Sequence, residues 1–244
     1  MAKAGLPQTF KIRMDESAYP QRLAYILGGR APKSLSVMGN LEILFDDGVG
    51  FCGSRSASAQ GLDAARDCAE VSVSQGVTVV SGNAKGVDRV AHRSALANGG
   101  RTVLVLAEGI SRFRIPFELS DVWDWNRVVV ISQFDDLAIW RSYQAMERNR
   151  LIIGLSYALI VIESGTEGGT WNAAMDALRL RVPLFVVDYR EVTGEQIANG
   201  KLIAEGGIPL RRSGRTGLPN LKKIHVEASI FKNSIQAHGS RQLV

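Results

Sequence analysis

From residue 49 onward, short apolar runs recur along the chain: Val49 to Cys52, Val77 to Val80, Thr102 to Leu106, Val128 to Ser132, Ala158 to Ile162 and Leu184 to Val187. Each is four or five residues long and rich in β-branched side chains, the pattern of a strand buried on both faces. Helix-length segments separate them. In the first, Leu62, Ala65, Ala69 and Val73 recur three and four residues apart, a stripe suited to lie on a sheet. This alternation predicts an α/β fold with a doubly wound, mostly parallel sheet and right-handed crossovers.

The flanks carry weaker patterns. Within residues 1–47, Pro7, Pro20, Pro32 and the Gly28-Gly29 pair break every periodic run. A short helix near Tyr19 to Leu27 and an extended piece near Ser34 to Val37 are expected, in an irregular N-terminal extension packed on a main domain of residues 48–210. Beyond Asp188, one helical turn is expected at Asn199 to Glu205. Residues 211–244 read as a basic, loosely structured tail, too short and too weakly periodic for a winged helix.

Charge changes the picture more than composition does. An apolar fraction of 45% and a charged fraction of 22% are ordinary for a globular protein and exclude a disordered or fibrous chain. The longest apolar run, Leu151 to Ile162, is 12 residues and too short to span a bilayer. No charged-then-apolar signal opens the chain, so a cytoplasmic location is expected. Cys52 and Cys68 have neither metal-ligand nor redox spacing; no metal and no cofactor are expected. Residues 1–189 hold 20 Lys+Arg against 20 Asp+Glu, whereas residues 190–244 hold 9 against 4. The whole excess of +5 therefore sits in the last quarter, which fits either a polyanionic partner or solvated surface charge; no membrane partner is expected.

Candidate chemistry lies where the predicted strands give way to helices. Gly53-Ser54-Arg55 follows the first strand, and Ser81-Gly82-Asn83-Ala84-Lys85-Gly86-Val87-Asp88 follows the second. Glycines let amides approach a ligand, a helix start attracts anions, and one cation per turn completes a phosphate cradle. Asp88, in the first turn of its helix, is read as a cap, and His92, on an apolar face, as a packing residue rather than an acid-base group. Arg148 and Arg150, flanking Asn149, diverge on a helix, so one points into the groove and the other pairs with a neighbour. Gly168-Gly169-Thr170 makes a further cradle at a helix start, although Glu163 and Glu167 beside it repel phosphate; these acids are read as acceptors for Arg148 or for bound bases. No catalytic residue is assigned. Phe113, Phe117 and Trp171 are the aromatics considered for base stacking.

Taken in order, Tyr19-Pro20, Gly39-Asn40, Gly53-Ser54-Arg55, Ser81 to Asp88, Ala91-His92, Gly99-Gly100 and Arg148-Asn149-Arg150-Leu151-Ile152 resemble the DNA-processing protein A family, also called DprA or Smf. The resemblance spans roughly residues 19–210 and implies an extended Rossmann-like domain. It also implies a homodimer that binds single-stranded DNA and loads the recombinase RecA during transformation. Arg55 and Lys85 then stand at DNA-contacting positions, and Arg148 and Arg150 in a basic motif. The chain departs from the family pattern at Arg114-Ile115-Pro116-Phe117 and at Ser132-Gln133-Phe134-Asp135. Met146, Arg148 and Asn149 with Gly168-Gly169-Thr170 also look like the Lonely Guy phosphoribohydrolases, which makes a nucleotide-binding sensor or nucleoside monophosphate hydrolase the alternative. That family's carboxylate just after Gly-Thr is replaced here by Trp171, Asn172 and Ala173.

Overall fold

All six apolar runs become strands of one sheet. In a computed structural model of the chain, residues 6–189 and 197–239 are described. The strands are β1 (Phe10–Arg13), β2 (Ser34–Gly39), β3 (Gly48–Cys52), β4 (Thr78–Ser81), β5 (Thr102–Val105), β6 (Val128–Ser132), β7 (Ala158–Val161), β8 (Leu184–Val187) and β9 (Ile208–Leu210). Their spatial order is β1-β2-β6-β5-β4-β3-β7-β8-β9. From β6 to β9 every pair is parallel; β2 runs antiparallel to both β6 and β1. The central strands are buried along their whole length, as continuous apolar runs require when helices cover both faces.

The helices are α1 (Gln21–Leu27), α2 (Ala59–Ser74), α3 (Val87–Ala97), α4 (Ser142–Gly154), α5 (Gly169–Arg179), α6 (Ile197–Ala204) and α7 (Lys222–Gly239). One core layer joins Leu23, Leu151, Ile152, Ala173 and Leu202 to one face of the sheet, and a second joins Ala65, Ala69, Ala91 and Ala95 to the other. Within the expected stripe on α2, Ala65 and Ala69 are fully buried while Leu62 and Val73 are half-buried. A third cluster packs Leu104, Val128 and Val130 under the loop that carries Phe113, Trp123 and Trp125.

Two flanking segments are more regular than their sequence patterns suggested. β1 and β2 extend the sheet itself beyond β6. Residues 222–239, expected to be loosely structured, form α7, an 18-residue helix whose Ile224, Ala228, Phe231 and Ile235 face the two core layers at helical spacing. It lies at the amino ends of β3 and β7, where the Lys232 ammonium bonds the Asp47 carboxylate at 2.6 Å and sits 5.5 Å from the Tyr157 ring centre.

The connection from β6 through α4 to β7 fixes the site. It carries the chain from one half of the sheet back to the far side of β3, so β4 and β7 flank β3 and their chains lead away in opposite directions. A crevice must open outside the carboxyl ends of such strands.

Candidate functional site

The two predicted turns touch each other at that crevice. The Val87 N–H donates to the Ser54 carbonyl at 3.4 Å, and the Ser54 N–H donates to the Glu163 carbonyl at 3.0 Å, tying the ends of β3 and β7 together. Gly86 adopts φ +77°, and a Cβ there would lie 2.5 Å from the Ser54 oxygen. At Gly53 a Cβ would lie 2.4 Å from the Val87 side chain. These glycines are needed so that one turn can pack on the other. The sequence had assigned them to close approach of a ligand.

Behind the turns lies a buried polar layer. The Ser81 hydroxyl is 2.8 Å from the Phe51 carbonyl and 3.0 Å from Asp88, whose other oxygen accepts from the Ala84 N–H at 3.2 Å. Asp88 thus caps the turn as expected. His92 is fully buried: its Nε2–H donates to the Gly82 carbonyl at 2.6 Å and its Nδ1 lies 2.6 Å from the Thr102 hydroxyl oxygen. Desolvation lowers its pKa to about 4, against the opposing pull of the Gly82 carbonyl and Asp88, so the ring is neutral and structural.

Arg148 sits on this layer. Only 5% of the residue is exposed, and a Cβ at Gly82 would fall 1.4 Å from its Nη1, so the guanidinium occupies the space a side chain at 82 would need. Its nearest carboxylate is Asp88 at 3.7 Å, and its Nε has no hydrogen-bond partner. Arg150, two residues on, points elsewhere, 3.5 Å from Asp176 on α5. The expected divergence of the pair is therefore present, with Arg148 inward.

Above Arg148 opens a cavity of about 430 Å³. Gly53, Ser54, Arg55, Arg148, Asn149, Gly169 and Thr170 line it, as expected; Ser81 and Gly82 form the layer behind. Asn149 donates from its side-chain amide to the Gly169 carbonyl at 3.2 Å, clamping the start of α5 to α4. Gly168 caps α5 at φ +97° and, with Gly86, lies outside the lining. Lys85 is exposed but does not line this cavity. Its charge instead falls on Glu118, whose pKa is held down by a backbone hydrogen bond, by Arg89 and by Lys85. The shared trough expected for Arg55 and Lys85 is thus lined by Arg55 and Arg148.

Several residues play parts other than those expected. Glu163 is buried and accepts hydrogen bonds from the Ser58 N–H at 2.8 Å and from the Ser58 hydroxyl, holding the start of α2. Glu167, by contrast, is exposed at the cavity rim. Phe113 lies in the core against Trp123, with ring centres 5.7 Å apart, Trp171 is half-buried against the core, and neither it nor the exposed Phe117 lines the cavity. The aromatic that does is Trp140, 48% exposed, with the Arg55 guanidinium 5.4 Å from its ring centre. Sequence reasoning missed it. The signal available was a run of apolar side chains, Leu137, Ile139 and Trp140, in a polar loop before α4.

Fold and crevice together define a Rossmann-like α/β protein with an arginine-lined cavity at the switch point of its sheet, the place where such folds bind ligands. The chain belongs to the DNA recombination-mediator protein A family, whose family model matches residues 11–214. Over 193 residues it is 30% identical to DNA processing protein DprA of Streptococcus pneumoniae, covering 78% of this chain and 67% of that protein. The X-ray structure of the same relative superposes with a TM-score of 0.74 at 28% identity, covering 83% of this chain and 71% of that one. Protein Smf of Escherichia coli is 31% identical over 174 residues, 70% of this chain and 46% of the relative. The Helicobacter pylori DNA processing protein A, described for its single-stranded DNA binding mode, shares the fold at a TM-score of 0.69 and 22% identity, covering 83% of this chain and 91% of that one.

Proposed function

We propose that the crevice binds single-stranded DNA and that the chain serves DNA processing and recombination in the manner of its family. One observation carries this reading: a buried guanidinium, Arg148, with an unpartnered Nε at the floor of an open cavity whose rim pairs a second guanidinium, Arg55, with an indole, Trp140. Backbone phosphates are held by the two arginines, the Ser54 turn and the start of α5, while unstacked bases lie on Trp140. The H. pylori relative's single-stranded DNA binding supports the choice of ligand.

In this reading the protein is a binder and not an enzyme. A phosphoribohydrolase needs a carboxylate at the sugar. The positions after Gly169-Thr170 hold Trp171 and Asn172, Glu163 is committed to Ser58, and Glu167 stands out at the rim. Delivery of the strand to a RecA-type recombinase, a homodimeric state and a cytoplasmic location complete the proposal. Among the described residues no helix is long and apolar enough to cross a membrane.

The test is a gel-shift titration with single-stranded oligonucleotides across salt concentrations. Arg55→Glu is expected to lower affinity at least tenfold and to reduce the salt slope, since it removes a phosphate contact and adds a repulsion. Lys85→Glu, outside the cavity, is expected to have the smaller effect. Unchanged affinity in Arg55→Glu, or release of free base from nucleoside monophosphates, overturns the proposal.

A further inference from the structure

We propose that the nucleic-acid track continues past the start of α2 into a second cavity at the carboxyl ends of β8 and β9, where Arg211 and Arg212 take further phosphates of the same strand. This rests on the reading of the first cavity as a single-stranded DNA site.

The second cavity, of about 700 Å³, has Gln60, Tyr189, Arg211, Arg212 and Ser213 among its walls. It opens at the same end of the molecule as the first, because β3, β7, β8 and β9 are parallel neighbours in that order. Three strand spacings separate β3 from β9, about 14 Å. The two cavities also flank one stretch of chain: Ser56 lines the first, and Gln60 and Ala64 line the second. Four residues separate Ser56 from Gln60, a reach of at most about 14 Å even when fully extended, so the two cavities are near neighbours. Between them lies the start of a 16-residue helix with no acidic side chain in its first turn.

The chemistry of the second cavity suits phosphate. Asp188 is the only acid in its described lining, and it is already bonded by the Arg211 guanidinium at 2.6 Å. The Arg211 side chain is nevertheless 74% exposed, and an exposed pair of this kind is weak, so a phosphate oxygen can replace the carboxylate at little cost. Arg212 is more firmly placed, 2.6 Å from Asp67 and 2.8 Å from the Gly217 carbonyl. The loop carrying both arginines is closed by its own backbone, with the Ser213 N–H donating to Leu218 and the Gly217 N–H donating to Ser213, each at 2.8 Å. Arg215 is exposed on the same loop. Independently, the Tyr189 hydroxyl is buried in this wall and has no hydrogen-bond partner among the described residues.

The experiment compares binding of oligothymidylates of about 4 and about 12 nucleotides, spanning the usual range of single-strand site sizes. Fluorescence anisotropy is measured on the full chain, on Arg211→Ala/Arg212→Ala and on Arg55→Glu. Both replaced arginines of the double variant are exposed, so the fold is retained. The double variant is expected to bind the long strand about tenfold more weakly, with a salt slope lower by about 1–2, and to bind the short strand as the wild type does. An equal loss for both lengths, or no loss for either, overturns the second cavity and leaves the first standing. Failure of the wild type to bind either length, or full binding by Arg55→Glu, overturns the reading beneath both.

Discussion

Gly82 and Arg148 show how a missing side chain can shape a charged site. The guanidinium lies where a Cβ at residue 82 would be, so Gly82→Ala must push Arg148 off the cavity floor. The variant is therefore expected to bind single-stranded DNA as poorly as Arg148→Ala while keeping most of its stability. Gly169→Ala, whose Cβ would meet nothing closer than the Asn149 amide at 3.9 Å, is expected to bind normally. Equal affinities for the two glycine variants would refute this. His92 makes a separate prediction, in stability. Its pKa is lowered from an unfolded value of 6.5 to about 4, so between those pH values only the unfolded state takes the proton. Stability is accordingly complete above pH 6.5 and falls as the pH drops towards 4, by on the order of 3 kcal/mol from this group alone. Urea midpoints of wild type and His92→Gln, compared over that range, are expected to converge as the pH falls; parallel curves would show that the ring is not buried neutral. The sequence identified Asp88, His92 and the divergence of Arg148 from Arg150, because those depend on position along one helix. It misplaced Lys85 and overlooked Trp140, because which side chains meet across a crevice depends on how the α4 crossover is set over the strand ends.

At the scale of elements, the start of α2 depends on a residue more than a hundred positions away. Ser58 caps the helix by accepting from the Gly61 N–H at 3.0 Å, and Glu163 from the end of β7 holds Ser58 in turn. Gly61 must lack a side chain because its Cβ would lie 2.4 Å from the Glu163 carboxyl carbon. Glu163→Ala is expected to cost about 2 kcal/mol in chemical denaturation, through the lost charge-assisted bonds and a loosened cap. Gln60 and Ser56 flank this cap, so the same variant is expected to weaken DNA binding only modestly; retained stability would show that the buried carboxylate is dispensable. The six central strands were legible because burial on both faces leaves an unbroken apolar run. The edges were not. β9 contains Pro209, a residue that a sheet interior rejects and an edge tolerates, and β1 buries only Ile12 among its four residues. In α7, Ile224, Ala228, Phe231 and Ile235 do recur at helical spacing, but the charged and polar residues between them diluted the stripe.

Over the whole molecule, the excess positive charge is split between the crevice end of the sheet and the opposite end. The basic last quarter suggested a single tail available to a polyanion. The fold instead divides it: Arg211 and Arg212 stay near the strand carboxyl ends, paired with Asp188 and Asp67, while Lys222, Lys223 and Lys232 travel with α7 to the amino ends. Strands of four or five residues place those ends about 15 Å apart, beyond the Debye length of about 10 Å at 0.1 M salt. Lys222→Ala/Lys223→Ala, which removes two exposed charges, is therefore expected to leave DNA affinity within about twofold of wild type near physiological ionic strength. At about 0.01 M salt the Debye length grows to about 30 Å, and the same variant is expected to bind measurably more weakly. A large loss at physiological salt would mean that the strand reaches α7 and that the carboxyl-end crevice is not the whole interface. An effect confined to low salt, beside a loss in Arg55→Glu at every salt concentration, would assign contact to the crevice and only long-range attraction to the tail.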